Sequence, residues 1–184
     1  MGKLVIVFIV AASAVIGFAV YRTLKSAPAV QNSVAAQLEN QFRSYISTLP
    51  ESEQSNIEVE TTDAVETFGA DLISVNYTFS IALKEKWSIE LHDKRVDVTA
   101  PPLEVQSRFA ASVTPALATK YNTSIQEIAG KERDLMFEKA RPLVIAFMTK
   151  WLSFQFPKEK NIELKVRFAN EPPSPTSAHH EAGQ

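Results

Sequence analysis

The side chains with the greatest capacity for acid–base or metal chemistry are three histidines, because the sequence contains no cysteine. His92 is followed by Asp93, the order of a general base beside an orienting carboxylate. However, adjacent residues in a turn point apart, and no serine or cysteine elbow accompanies the pair. His179 and His180 lie in a segment that offers no rigid scaffold for a metal ion. The sequence therefore predicts no catalytic residue and no metal site.

Charged residues of both signs are mixed along one predicted helix. Their spacing produces i, i+4 ion pairs such as Glu127 with Lys131, which are typical of a solvent-exposed face. The spacing does not indicate two carboxylates that converge in a cleft. None of the five glycines lies in a phosphate-binding G-x-G or G-K-S context, so no cofactor is predicted. The charged run comprises Glu127, Lys131, Glu132, Arg133, Asp134, Glu138, Lys139 and Arg141.

An aromatic stripe at helical spacing is formed by Phe147, Trp151 and Phe154. A stripe of this kind usually packs in the protein core. The same three side chains could instead line a pocket for a lipid or another apolar ligand, because such pockets are walled mainly by aromatic and aliphatic groups. Both interpretations stay open at the level of sequence.

The stretch that determines where the whole chain is located is an uncharged apolar segment of 18 residues, from Leu4 to Tyr21. As a helix it would be about 27 Å long, close to the thickness of bilayer hydrocarbon. A cleaved signal peptide is the alternative, but its apolar region is shorter, and here Arg22 and Lys25 follow instead of a cleavage site. Residues 1–25 are therefore predicted to be an uncleaved transmembrane anchor.

The net charge of the remaining chain limits its partners. Only Lys3, Arg22 and Lys25 of the 19 basic residues precede residue 26, and none of the 21 acidic residues does, so 16 basic and 21 acidic residues leave a charge of −5. This acidity argues against nucleic acid and against a polybasic lipid-binding surface. Attachment to the lipid bilayer is predicted to depend on the anchor alone.

Two types of periodicity divide the rest of the chain. Apolar residues every three to four positions predict a stalk helix within residues 26–54, ended by Pro50 and packed on the domain's own sheet rather than in a coiled coil. A second, long helix is predicted from a capping box at Ser124, with a kink at Pro142 and an end at Pro157. Residues 107–121 are predicted to be irregular or partly helical. Alternation of period two predicts strands near residues 57–61, 72–83, 87–91, 96–100, 103–105 and 162–168.

These elements predict an α+β domain over residues 55–170. We expect an antiparallel sheet of four to five strands packed against the long C-terminal helix. Residues 171–184 contain three prolines and no large apolar side chain, which predicts a disordered tail.

The tract from Val96 to Val105, VDVTAPPLEV, resembles the strand, proline pair and short aliphatic strand of the bacterial domain-of-unknown-function family 4230. The similarity extends to the order of elements from about Ala70 to Phe168. Members of that family typically carry an amino-terminal anchor, and the family has no agreed activity, so the resemblance implies a bacterial membrane protein without assigning any site residue.

The sequence thus predicts a non-enzymatic, single-pass protein of the bacterial cytoplasmic (inner) membrane. Charge counting does not determine the orientation, and an extracytoplasmic domain is predicted because the anchor resembles an uncleaved signal. The domain would present itself to a protein partner at the membrane surface. A lipid-binding or apolar-ligand-binding module is one alternative function, and a hydrolase whose site is dispersed in the sequence is another.

Overall fold

A computed structural model describes residues 28–92, 95–157, 159 and 162–172. The predicted anchor, the tail from residue 173 onward and Asp93 lie outside the described residues. Within the described part of the chain, no helix is both long enough and apolar enough to cross a bilayer. The described residues form an α+β fold in which antiparallel strands pack against a long helix.

The predicted stalk helix is α1, Pro28–Ile46, and a single 3-10 turn follows at Glu51–Glu53. Leu38, Phe42 and Ile46 recur every four residues, so they share one face of α1, and all three are buried. This face contacts strand β3 of the domain. The packing of the helix on the domain's own sheet therefore agrees with the prediction from its apolar stripe.

The first sheet is antiparallel, with the strand order β1-β2-β5. Its strands are β1 (Asn56–Phe68), β2 (Asp71–Ala82) and β5 (Leu103–Phe109). Phe68 pairs with Asp71, so β1 and β2 are joined by a two-residue turn. Gly69 in this turn has φ of 63°, a conformation that a residue without a Cβ adopts at little cost. Alternate residues of β2, from Ile73 to Ile81, are buried, as its period-two pattern predicts.

The second sheet has the strand order β3-β4-β6. β3 (Ser88–Leu91) and β4 (Arg95–Ala100) are antiparallel, whereas β6 (Glu163–Phe168) lies parallel to β4. The prediction of one antiparallel sheet with four to five strands was therefore wrong in its detail, since the described residues form six strands in two sheets. Pro101 and Pro102 end β4, and the chain then enters the other sheet as β5. A helical crossover before β6 lets that strand return in the parallel direction.

The long helix α2, Pro115–Gln155, has 41 residues and is about 60 Å long. It begins nine residues before the predicted capping box at Ser124. Thr114 caps it, since the Thr114 hydroxyl accepts a hydrogen bond from the Leu117 amide at 3.4 Å, and Pro115 occupies the first turn, where its missing N–H has no cost. Pro142 lies inside the helix without ending it.

Polar contacts of the segment after β6 connect the two sheets. The side-chain amide of Asn170 accepts a hydrogen bond from the Leu103 amide at 2.9 Å and donates one to the Leu103 carbonyl at 3.0 Å. The next residue, Glu171, accepts from the Phe168 amide at 3.1 Å and pairs with Arg141 of α2 at 2.6 Å. The end of β6 is thus held both to the start of β5 and to α2.

We expect Phe42→Ala to lower the free energy of unfolding by about 3–5 kcal/mol, because it removes a fully buried ring and leaves a cavity. Urea denaturation of the full chain in detergent micelles, followed by tryptophan fluorescence, would measure this loss, since Trp87 and Trp151 are both buried. Ser44→Ala on the exposed side of α1 is the control, with an expected change within about 0.5 kcal/mol. Equal effects of the two substitutions would show that α1 does not pack on the domain.

Candidate functional site

The outward side of the second sheet carries polar and charged side chains in three rows, and we call it the charged face. The alternation of each strand produces it: Ile89, Val96 and Val98 point to the core, while their neighbours point outward. The strand registers align these neighbours across the sheet. The rows are Ser88, Thr99 and Arg167; Glu90, Asp97 and Lys165; and His92, Arg95 and Glu163.

Asp97 is at the centre of the charged face and is held by two neighbours. The Arg95 guanidinium approaches both of its oxygens, with Nε 2.8 Å from Oδ1 and Nη2 3.0 Å from Oδ2. His92 Nε2 lies 3.1 Å from Oδ2. Asp97 is therefore the carboxylate partner of His92, whereas Asp93, which follows His92 in the sequence, was not expected to fill this role because adjacent residues in a turn point apart. The pairing of β3 with β4 places His92 opposite Arg95 and next to Asp97 on the same face, and the short sequence separation of these residues is the signal that could have indicated it.

A concave region of about 270 Å³ opens on this face. Its lining consists of Glu90, Asp97, Val98, Thr99, Lys165 and Arg167. Arg167 Nε donates a hydrogen bond to the Thr99 hydroxyl at 2.9 Å. Neither Glu90 nor Lys165 forms an ion pair with any described residue. The concavity thus presents charges of both signs that the domain itself does not neutralise.

The geometry of the charged face suits binding of charged groups better than nucleophilic catalysis. Ser88 lies four residues before His92, a separation of about 13 Å along an extended strand. Arg95 lies opposite His92, and Thr99 is four residues beyond Arg95. The Thr99 hydroxyl is therefore as far from His92 as the Ser88 hydroxyl is. A histidine must be within hydrogen-bond distance of a hydroxyl to activate it. Within the described part of the chain, no group of three or more histidine, aspartate or glutamate side chains could hold a metal ion.

A second polar cluster lies between β1 and α2. The buried Tyr77 hydroxyl donates a hydrogen bond to Glu66 at 3.1 Å. Burial first, and then the negative charges of Glu66 and Glu132, raise the pKa of Tyr77 well above its usual range. Tyr77 therefore stays protonated and acts as a hydrogen-bond donor, not as a base or nucleophile. Glu132 belongs to the run predicted to form a solvent-exposed face, but it is half-buried.

The structure distributes the aromatic stripe from the core to the surface. Trp151 is fully buried, with its ring centroid 5.2 Å from that of Phe42. Phe147 is half-buried and lies 6.0 Å from Phe42, whereas Phe154 is 60% exposed and lies 5.9 Å from Tyr45. Phe42 on α1 thus covers the buried part of the stripe, whereas Phe154 at its end stays exposed.

A third cluster attaches the tip of the β1–β2 hairpin to the start of α2. The Tyr121 hydroxyl donates to Asp71 at 2.5 Å, Lys120 Nζ lies 3.1 Å from the same oxygen, and the Phe68 ring stacks on Tyr121 with centroids 4.5 Å apart. The hydrogen bond from Tyr121, followed by that from Lys120, holds the pKa of Asp71 below its usual value. The polar groups of this cluster bind one another, so its role is to attach the β1–β2 hairpin to α2.

Comparisons with known proteins identify no relative. No family model matches the sequence, and no similar protein was found among curated proteins or solved structures. The fold itself defines the chain as an α+β protein, with two three-stranded sheets against a long helix.

We expect Tyr121→Phe to destabilise the protein in a pH-dependent manner. The pKa of the Asp71 carboxylate is lower in the folded protein than in the unfolded chain, where it is near 3.8. Its interactions therefore stabilise the fold fully above pH 3.8, and this stabilisation is lost as the pH falls through the pKa of the folded protein. The difference in unfolding free energy between wild type and variant should therefore be largest at neutral pH and shrink below about pH 4. Urea denaturation across this pH range would measure it.

Tyr45→Phe is the matched control, because the buried Tyr45 hydroxyl has no hydrogen-bond partner among the described residues. Its effect on stability should not vary with pH in the acidic range. If the two variants show the same pH dependence, the hydrogen bond from Tyr121 does not lower the pKa of Asp71.

Proposed function

We propose that this chain is a membrane-anchored, non-enzymatic protein of the bacterial cell envelope that presents its α+β domain to a protein partner. The observation that carries the proposal is the uncharged apolar stretch from Leu4 to Tyr21. Six residues separate it from α1. Because α1 packs on the domain through Leu38, Phe42 and Ile46, this short connection would keep the domain close to the bilayer.

The bacterial setting and the orientation have separate support. The tract from Val96 to Val105 resembles a bacterial family whose members typically carry an amino-terminal anchor. An anchor at this position behaves like an uncleaved signal, which favours a domain outside the cytoplasm of a single-pass protein in the cytoplasmic membrane.

The charged face is the surface that we propose for partner binding. Its concave part holds Glu90, Lys165 and Arg167, whose charges the domain leaves without an acidic or basic partner among the described residues. A partner with complementary charges would gain favourable interactions there without first breaking internal ion pairs. The acidity of the chain after residue 25 favours protein over nucleic acid as this partner.

The two alternative functions have less support. For a lipid-binding or apolar-ligand-binding module, a ligand that contacts all three rings of the stripe would have to displace Phe42 from Trp151. For a hydrolase, His92 and Asp97 form a suitable pair, but the hydroxyls of Ser88 and Thr99 on the same face are out of its reach. A binding role needs neither a displaced ring nor a nucleophile.

We expect the full chain to remain in the membrane fraction after alkaline carbonate extraction. Ile9→Asp combined with Val15→Asp should release it, because each acid at the centre of a spanning helix costs about 2.5–3.5 kcal/mol. Ile9→Ala with Val15→Ala is the matched control and should stay membrane-bound. A reporter that works only outside the cytoplasm, fused to the carboxyl terminus of the chain, should be active if the domain is extracytoplasmic. Release of the intact wild-type chain by carbonate would refute the anchor.

Photocrosslinking in living cells tests whether a protein partner binds to the charged face. A photoreactive residue in place of Glu163, at the rim of the charged face, should form a discrete adduct with one protein. The adduct should disappear when Lys165→Glu and Arg167→Glu are added, because both charges of the proposed contact are then reversed. The same photoreactive residue in place of Lys131, exposed on α2, is the control. Equal adducts from both positions would contradict binding through the charged face.

A further inference from the structure

The concavity on the charged face separates its unpaired charges by sign. Asp97 lies between Arg95 and His92, so a neighbouring positive charge already balances its carboxylate, although the buried Oδ1 has no hydrogen-bond partner among the described residues. The unpaired charges that remain are the Glu90 carboxylate on β3 and the Lys165 ammonium on β6, one on each side of Asp97. Arg167 adds a second positive charge on the β6 side.

The β6 side has the donors that an anion requires. The Thr99 hydroxyl accepts the hydrogen bond from Arg167 Nε, so its own hydrogen is left to donate. The outer nitrogens of the Arg167 guanidinium have no partner among the described residues, and neither does Lys165 Nζ. Hydroxyl, guanidinium and ammonium donors on adjacent positions of one face are the groups that bind phosphate or carboxylate oxygens.

The distance between the two sides limits the ligand. Glu90 and Lys165 are directly opposite Asp97 on its two neighbouring strands, which are about 10 Å apart. For two charged groups that stand above their own strands, subtracting one contact of about 3 Å at each end leaves about 4 Å between an anionic and a cationic group of the ligand. A volume of about 270 Å³ is small for a ligand site and fits a small compound.

We infer that this concavity binds a small zwitterion, in which a phosphate or carboxylate contacts Lys165, Arg167 and Thr99 while an ammonium group contacts Glu90. The inference rests on the proposed function only in using the same charged face. It requires neither the membrane anchor nor the protein partner.

O-phosphoethanolamine is the probe, because it joins a phosphate to an ammonium group at the required spacing. Ethyl phosphate is the matched ligand without the ammonium. Titration into the full chain in dodecylmaltoside micelles, monitored by NMR chemical shifts, should show phosphoethanolamine binding more tightly by on the order of fivefold, the effect of one partly solvated ion pair. Equal affinities for the two compounds, or binding of neither, would overturn the inference.

Substitutions in the concavity test which side chain contacts each end of the ligand. Glu90→Gln should reduce the affinity for phosphoethanolamine to that for ethyl phosphate, whereas Lys165→Gln should weaken both ligands. Both side chains are exposed and without an internal partner among the described residues, so the fold should be retained. Lys131→Gln on α2 is the control and should bind like wild type. If Glu90→Gln leaves the preference unchanged, the ammonium does not contact Glu90.

The zwitterion could be a free compound or the headgroup of an ethanolamine lipid. The full chain in nanodiscs of phosphatidylglycerol should respond to added phosphoethanolamine in either case. In nanodiscs that contain phosphatidylethanolamine, a lost response indicates that the lipid headgroup occupies the site, and a retained response indicates a free ligand. If the photoreactive residue in place of Glu163 forms no adduct in the otherwise wild-type chain while the titrations are as expected, the protein partner is refuted and the ligand site is retained.

Discussion

Burial of apolar side chains against the helix α2 is the constraint on which the rest of the structure depends. Both sheets contact this helix, the first sheet through β1, β2 and β5 and the second through β6. Its buried residues extend from Ile125 to Gln155, so a single apolar face about 45 Å long serves two sheets. Near the carboxyl end of that face, Phe42 of α1 packs against Trp151. Hydrophobic burial therefore joins two sheets and two helices in one core, while the polar contacts of Asn170 and Glu171 fix how the sheets meet.

The charged face is a direct consequence of that arrangement. Each strand of the second sheet buries one set of alternate residues, and the other set must face outward. In β4 the outward set is Arg95, Asp97 and Thr99, and the flanking strands align further charged side chains with it. The ion pair of Asp97 with Arg95 balances the charge at the centre of the face and leaves its margins charged. A surface of this kind supports selective binding of charged groups more than chemistry, because specificity arises from complementary charge.

The proposed function combines this surface with the apolar stretch at the amino terminus. If that stretch holds the protein in a membrane, the domain works at a fixed location and its partner or ligand must come to it. The proposed site needs only modest affinity under these conditions, since attachment raises the effective concentration of neighbouring membrane components. The partly exposed charges of the concavity fit such a role, because solvated ion pairs each contribute little.

The sequence by itself determined the elements whose pattern is local. The alternation in β2 and the four-residue spacing of Leu38, Phe42 and Ile46 predicted a half-buried strand and a packed helix, and both are observed. The same reasoning placed the start of α2 at Ser124, because the residues there match a capping box. The helix begins instead at Pro115, a favourable residue in the first turn once Thr114 provides the cap.

Only the tertiary structure decided the division into two sheets, the parallel pairing of β6 with β4 and the meeting of Glu90, Asp97 and Lys165 at one concavity. The physical reason is that periodicity reports which side of a strand is buried but not which strand lies beside it. Strand neighbours and registers are chosen by contacts between residues far apart in the chain, and those contacts form only when both sheets bury their apolar sides against α2.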